Sequence, residues 1–147
     1  MGSALLNPYL TFGGNARAAM EKYNLVLGGT LAVQTFGDFG APVSQDYRSK
    51  VMHARLDADG MVLMASDSQE GSTPVVGDNI TLSLSGGPGD RERLTRVFDE
   101  LSAGGATTMP LADVPWGASF GMLTDEFGVN WMVNIEKAAD PSGQPAG

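Results

Sequence analysis

His53 is the single histidine of this 147-residue chain, and Arg55 follows it two positions later in a stretch of alternating character. Alternation along an extended segment puts both on one face, with Val51 and Asp57, while Met52, Ala54 and Leu56 take the other. An imidazole that titrates near neutrality, beside a guanidinium that can hold an anion, is minimal equipment for proton transfer. The same pair also fits an ordinary hydrogen-bonded strand. With one His and no Cys, a chain cannot build a His₂ or His₃ site, a thiolate site, a disulfide or a cysteine nucleophile. No spacing independently supports a Ser-His-Asp triad. Gly86-Gly87-Pro88-Gly89 leads into a helical pattern as a phosphate loop would, but it lacks GxxxxGK[ST] and its Lys, so it reads as a turn. Trp116, in Pro115-Trp116-Gly117 with Phe120 close behind, is placed to cap a cavity mouth or stack on a planar ligand; core packing and dimer contact fit it equally.

The overall charge narrows the partners. Nine Lys+Arg against 17 Asp+Glu give a formal charge of −8 and a pI near 4.4. Nucleic-acid binding needs a basic stripe that displaces counterions. The basic residues here are scattered, and Arg91, Arg93 and Arg96 alternate with Asp90, Glu92, Asp99 and Glu100 as a solvated helix face would. Nucleic acid and anionic membranes are therefore not expected partners. No apolar run approaches the roughly 20 residues of a membrane span, and no signal-peptide pattern opens the chain; the expectation is a soluble, cytoplasmic protein.

The elements that must position these residues come twice. Asn7-Pro8-Tyr9-Leu10-Thr11-Phe12 is echoed by Asn79-Ile80-Thr81-Leu82-Ser83-Leu84, and Asp57-x-x-Gly60-x-x-x-Met64 by Asp125-x-x-Gly128-x-x-x-Met132, at offsets of 72 and 68 residues. Such a period marks a duplicated supersecondary module, with a binding site expected between the copies across a pseudo-twofold axis. Each copy predicts βαβββ. In the first, a strand over 5–12 precedes a helix capped by Asn15 and stopped at Gly28-Gly29; strands over 30–36, 50–57 and 61–67 follow, with 37–49 as a mobile loop. In the second, a strand over 78–85 leads to a helix from Asp90 to Ala103-Gly104-Gly105, then strands near 107–111, 118–124 and 129–135. Residues 68–77 read as a linker and 138–147 as a flexible tail. The expectation is one domain over 1–137, with modules at about 5–67 and 78–136.

Splitting each strand by alternation separates two faces. Leu10, Phe12, Leu63, Ala65, Ile80, Leu82, Leu84, Trp131, Val133 and Ile135 form an apolar face for the helices. Burial at roughly 1.5–3 kcal/mol per large side chain sets the register. The opposite face collects Asn7, Tyr9, Thr11, Val62, Met64, Ser66, Asn79, Thr81, Ser83, Asn130, Met132 and Asn134. It holds no Lys or Glu, and reads as a partly apolar cavity wall with a few orienting polar groups.

These motifs, with Phe36-Gly37-Asp38, Leu63-Met64-Ala65-Ser66-Asp67 and Thr124-Asp125-x-Phe127-Gly128-Val129-x-Trp131-Met132, resemble the PhnB-like branch of the vicinal oxygen chelate superfamily over about residues 5–136. That superfamily holds glyoxalase I, bleomycin-resistance proteins, fosfomycin-resistance enzymes and extradiol dioxygenases. The resemblance implies an α+β fold in which two pseudo-symmetric βαβββ modules form a curved mixed sheet around a concave cavity, helices on the outer face, in a homodimer. It also implies that Asn7, Met64, Asn79 and Met132 stand where the metalloenzymes place His and Glu ligands. Neutral amides and thioethers are poor donors for hard or borderline divalent cations, so no metal is expected there, and no other cofactor.

The expected function is a glyoxalase/bleomycin-resistance-like protein that binds a small apolar or planar molecule in a metal-free cavity. Its ligand-binding candidates are Asn7, Tyr9, Met64, Asn79, Trp116 and Met132. The alternative is an enzyme: a metal-dependent lyase, dioxygenase or thiol transferase, or a metal-free acid/base catalyst using His53 and Arg55. A dimeric module with a closed cavity and a role in protein contacts is the third possibility. A methyltransferase role, a label carried by similar sequences, is discounted, because no Gly-rich nucleotide-binding strand–turn–helix is legible.

Overall fold

The computed structural model describes residues 4–138, so the predicted tail lies almost wholly outside the described residues. The chain forms two compact units, 1–75 and 76–147, each with the predicted element order. The first contains β1 (Tyr9–Phe12), α1 (Ala16–Leu27), β2 (Thr30–Thr35), β3 (Val51–Ala58) and β4 (Met61–Asp67). The second contains β5 (Leu82–Gly86), α2 (Arg91–Ser102), β6 (Ala106–Val114), β7 (Ala118–Thr124) and β8 (Asn130–Glu136). Each unit has a four-stranded mixed sheet, ordered β1-β4-β3-β2 and β5-β8-β7-β6. In each, the first strand lies parallel to the last and the remaining pairs are antiparallel. The duplication read from the sequence is a duplication of topology.

Each sheet buries one face under its helix. Ala16, Ala19, Met20, Tyr23, Val26 and Leu27 recur every three to four residues along α1 and are buried. With Phe12, Ala54, Leu56, Leu63 and Ala65 they make the first core. Leu94, Val97, Phe98 and Leu101 of α2 do the same for Leu84, Leu123, Trp131, Val133 and Ile135.

Four local readings differ from the structure. Asn15 makes no side-chain capping bond to α1; Asp67 at the end of β4 does the work, its Oδ1 accepting the N–H of Gly14 and of Ala16, each at 2.9 Å. Between Gln34 and Thr35 the β2–β3 register slips, so that Gln34 faces His53 but Thr35 faces Val51. This bulge opposes two residues to one. Val51 consequently turns into the core and Met52 out to solvent, the reverse of simple alternation. The segment expected to be a mobile loop is pinned. Thr35 and Asp38 exchange side-chain and backbone bonds, Phe36 N–H reaches Lys50 O, Gly37 N–H reaches Arg48 O, and Ser44 bonds Glu70. Finally, β1 and β5 start later than expected, at Tyr9 and Leu82.

Candidate functional site

The face of each sheet opposite its helix carries the residues singled out for chemistry. In the first unit, parallel pairing sets Tyr9 beside Met64, and antiparallel pairing sets Met64 beside Arg55. His53 lies one alternation further along β3, facing Gln34 of β2. Strands β1 and β3 are separated by β4, about 9–10 Å at the usual strand spacing, yet the Tyr9 phenol crosses that gap. Its Oη lies 3.0 Å from His53 Nδ1, and the two rings stack at a centroid separation of 5.7 Å and 26°. A phenol that donates to Nδ1 leaves the proton of a neutral imidazole on Nε2. Tyr9 and His53 thus form a flat aromatic platform beside a thioether, and Tyr9 remains 47% exposed.

Arg55 is already engaged. Its Nε and Nη2 donate to Asp57 Oδ2 and Oδ1 at 2.9 and 3.0 Å. That hydrogen-bonded pairing raises the guanidinium above its ordinary value and lowers the carboxyl. Asp57 therefore satisfies the charge that the sequence reading assigned to an anionic substrate. Both groups are half exposed, so the pair is loosely held and anion capture would have to displace Asp57.

Asn7 precedes β1 rather than lying within it; the link to the sheet there is Pro8, whose carbonyl accepts the Met64 N–H at 3.1 Å. Asn79 lies in an exposed bend before β5, and Ile80 beside it is 71% exposed. The Gly77-Asp78-Asn79 run favours a turn over a strand, so the structure corrects the strand placement of Asn79 and Ile80.

In the second unit, Met132 faces Ser83 on one side and Met122 on the other. Asn134, two residues on, faces Ser85 and Phe120. Trp116 sits in the tight turn between β6 and β7, where Gly117 adopts φ 80°. Its indole meets Phe120 edge-on at 5.7 Å, and its Nε1 lies 3.4 Å from Asn134 Oδ1. Phe120 and Met122 are members of this patch that alternation along β7 could have named, because β7 alternates as cleanly as β8.

Two further features were missed. Clefts of about 330 Å³ and 390 Å³ border the segment after β4, the first lined by Thr11, Ser66, Ser68, Gln69 and Thr73 among others, the second by Phe36, Val43 and Glu70 among others. In sequence that segment carries no signal beyond turn-forming composition.

The metal and cofactor chemistries of the resemblance can be tested against these residues. Among the described residues, no three His, Asp or Glu side chains gather as a metal site. The amide and thioether donors at Asn7, Met64, Asn79 and Met132 do not suit a divalent cation. A phosphate-bearing cofactor would need a free helix N-terminus after a Gly-rich turn. At α1 that place is taken by the Asp67 carboxylate, and before α2 the Gly87 N–H is taken by Asp90 Oδ2 at 3.1 Å. The start of α1 therefore does not fit such a group.

The sequence matches the family described as 3-demethylubiquinone-9 3-methyltransferase over residues 5–134. The protein YjdN of Escherichia coli (strain K12) is 31% identical, the alignment covering 90% of this chain and 95% of that one. The solved structure of protein PA1353 from Pseudomonas aeruginosa is 42% identical and superposes with a TM-score of 0.82, covering 92% of this chain and all of that one (100%). A glyoxylase/bleomycin resistance protein/dioxygenase domain from Frankia sp. EAN1pec, at 16% identity, TM-score 0.64 and 92% and 99% coverage, shares the fold.

Proposed function

Since the chain belongs to the 3-demethylubiquinone-9 3-methyltransferase family, the PhnB-like branch of the vicinal oxygen chelate superfamily, we propose that it binds a small planar, largely apolar molecule without a metal. The observation that carries this reading is the pair of aromatic–thioether surfaces: the Tyr9–His53 stack beside Met64, and the Trp116–Phe120 pair on the sheet face that carries Met122 and Met132. Flat rings supply dispersion and stacking to a planar ligand. Methionines adapt to its outline, and the few amides and hydroxyls orient it. Asn7 and Asn79 are assigned supporting contacts. We take the two units as one domain, in a homodimer as the superfamily resemblance implies, with a cytoplasmic location.

Native mass spectrometry with elemental analysis, on protein purified without chelator, tests ligand, metal and assembly together. A stoichiometric planar passenger without metal is the expected result, and Tyr9→Ala and Trp116→Ala should each weaken rebinding of a planar aromatic probe by roughly tenfold or more. Stoichiometric Zn, Ni, Mn or Fe overturns the reading. So does unchanged probe affinity in both variants.

One observation favours a second reading, metal-free acid/base catalysis: the 3.0 Å bond between Tyr9 Oη and His53 Nδ1 orients an imidazole with Nε2 free for proton transfer. Loss of turnover in His53→Ala, with intact folding, is its required result.

A further inference from the structure

We infer that the 330 Å³ cleft at the C-terminal ends of β1 and β4, on the same sheet face as Tyr9 and Met64 and two residues beyond them, is a binding site for a small, neutral, polyhydroxylated molecule. Thr11 and Ser66 are register partners across the parallel β1–β4 pair and line the cleft with Gln69 and Thr73. None of these four side chains has a hydrogen-bond partner among the described residues; Thr11, Gln69 and Thr73 are exposed and Ser66 half-buried, so four neutral donor–acceptor groups border one open hollow. Its volume lies at the small end of ligand sites, roughly 300–1,000 Å³, which suits a polyol up to the size of a monosaccharide.

The far wall is built rather than left to fluctuate. Ser68 N–H donates to Phe12 O at 2.7 Å, Ser72 N–H to Gln69 O at 2.9 Å, and the Ser68 hydroxyl to Ser72 O at 2.8 Å. The Tyr47 hydroxyl clamps the Ser68 carbonyl from the other side. Donors held on a hydrogen-bonded frame lose little entropy on binding.

Charge selects the class. The sole ionisable lining residue is Asp67, which is buried. Its two oxygens already accept the N–H groups of Gly14, Ala16 and Val51. Buried and held by those three donors, it presents negative potential but no open face for a cation to bind, and no Lys, Arg or His lines the cleft to receive an anion. A phosphate or carboxylate there would be repelled; hydroxyls can both donate to and accept from Thr, Ser and Gln. With no aromatic in the lining, binding rests on hydrogen bonds alone and is expected to be weak.

Backbone amide NMR of the full chain, titrated with xylitol and separately with glycerol 3-phosphate, tests this. Saturable shifts confined to residues around Thr11, Ser66 and Gln69 are expected with xylitol and absent with the phosphate ester. Thr11→Val and Gln69→Leu, checked for folding by their unperturbed spectra elsewhere, should each weaken xylitol binding about threefold to tenfold, the loss of one neutral hydrogen bond. Trp116→Ala should leave it unchanged, so failure here is distinguishable from failure of the aromatic reading. Non-saturable or dispersed shifts, equal affinity in both cleft variants, or preference for the phosphate ester would each overturn the proposal.

Discussion

At the end of β4 the Asp67 carboxylate, 4% exposed, accepts three backbone N–H groups at 2.8–2.9 Å. It thereby ties β4 to the start of α1 and to the start of β3. Removing it strands three donors, two of them buried, each costing about 1–3 kcal/mol. Asp67→Ala should therefore lose roughly 3 kcal/mol or more in chemical denaturation, and Asp67→Asn, which keeps one acceptor, clearly less. The second unit uses a different residue for a related task. Asp125, 3% exposed, accepts from Phe127 and Val129 through Oδ1 and from Trp131 Nε1 through Oδ2. Its sequence counterpart, Asp57, is exposed and bound to Arg55 instead. Equivalent positions in a repeat had the same letter and opposite environments, which no spacing rule could reveal.

The Gly-Gly pair that ends each helix serves two purposes. Gly28, at φ 71°, is the left-handed stop of α1; α2 ends on Ala103 in extended backbone, and Gly104, at φ 81°, takes the positive-φ position of the turn in which Gly105 N–H donates to Ser102 O. The second glycines answer to space. A Cβ on Gly29 would strike the Asp57 carbonyl and come within 2.8 Å of Ala58 Cβ, and one on Gly105 would strike the Thr124 carbonyl and lie 2.7 Å from the Asp125 carbonyl carbon. Each helix exit is pressed against the end of a sheet strand, at the same place in both units. Gly28→Ala should cost about 1 kcal/mol, a conformational penalty alone. Gly29→Ala and Gly105→Ala must move backbone, and should each cost at least about 2 kcal/mol by thermal or chemical unfolding. The edge strand β6 tolerates Pro110 because its register with β7 is broken twice, on either side of Met109, so no ladder donor is missed at the proline.

At the scale of the whole chain, stability should respond to acid. Asp113 is held below its ordinary value mainly by its bond to Lys137, with Ser119 contributing, and Glu70 by the hydroxyl and N–H of Ser44. Asp38 is lowered by the N–H and hydroxyl of Thr35. A carboxyl whose folded value is depressed stabilises the fold above its unfolded value and loses that contribution as pH falls through the folded one. These groups are exposed, so each effect is small. The melting temperature should stay level from neutrality to about pH 5 and fall below about pH 4, and Asp113→Asn should flatten part of that fall.

Among the described residues, no helix is long and apolar enough to cross a membrane. The element order, both helices and six of eight strand positions were legible because apolar periodicity and Gly stops are local signals. The first strands were drawn too long because Asn-Pro and Gly-Asp-Asn were read for their polarity pattern and not for their turn chemistry. The bulge at Met52 was invisible because register slips are settled by the partner strand.

The candidate surfaces divide in the same way. Alternation along single strands determined which face Tyr9, His53, Arg55, Met64 and Met132 occupy, since side-chain direction in a strand is a property of the chain itself. That the Tyr9 ring reaches across β4 to His53, that Arg55 spends its charge on Asp57, and that Thr11 and Ser66 open onto a cleft behind Gln69 were decided only in the tertiary structure. Those outcomes depend on strand order and on distances between residues far apart in sequence, which hydrophobic pattern constrains only through the fold as a whole.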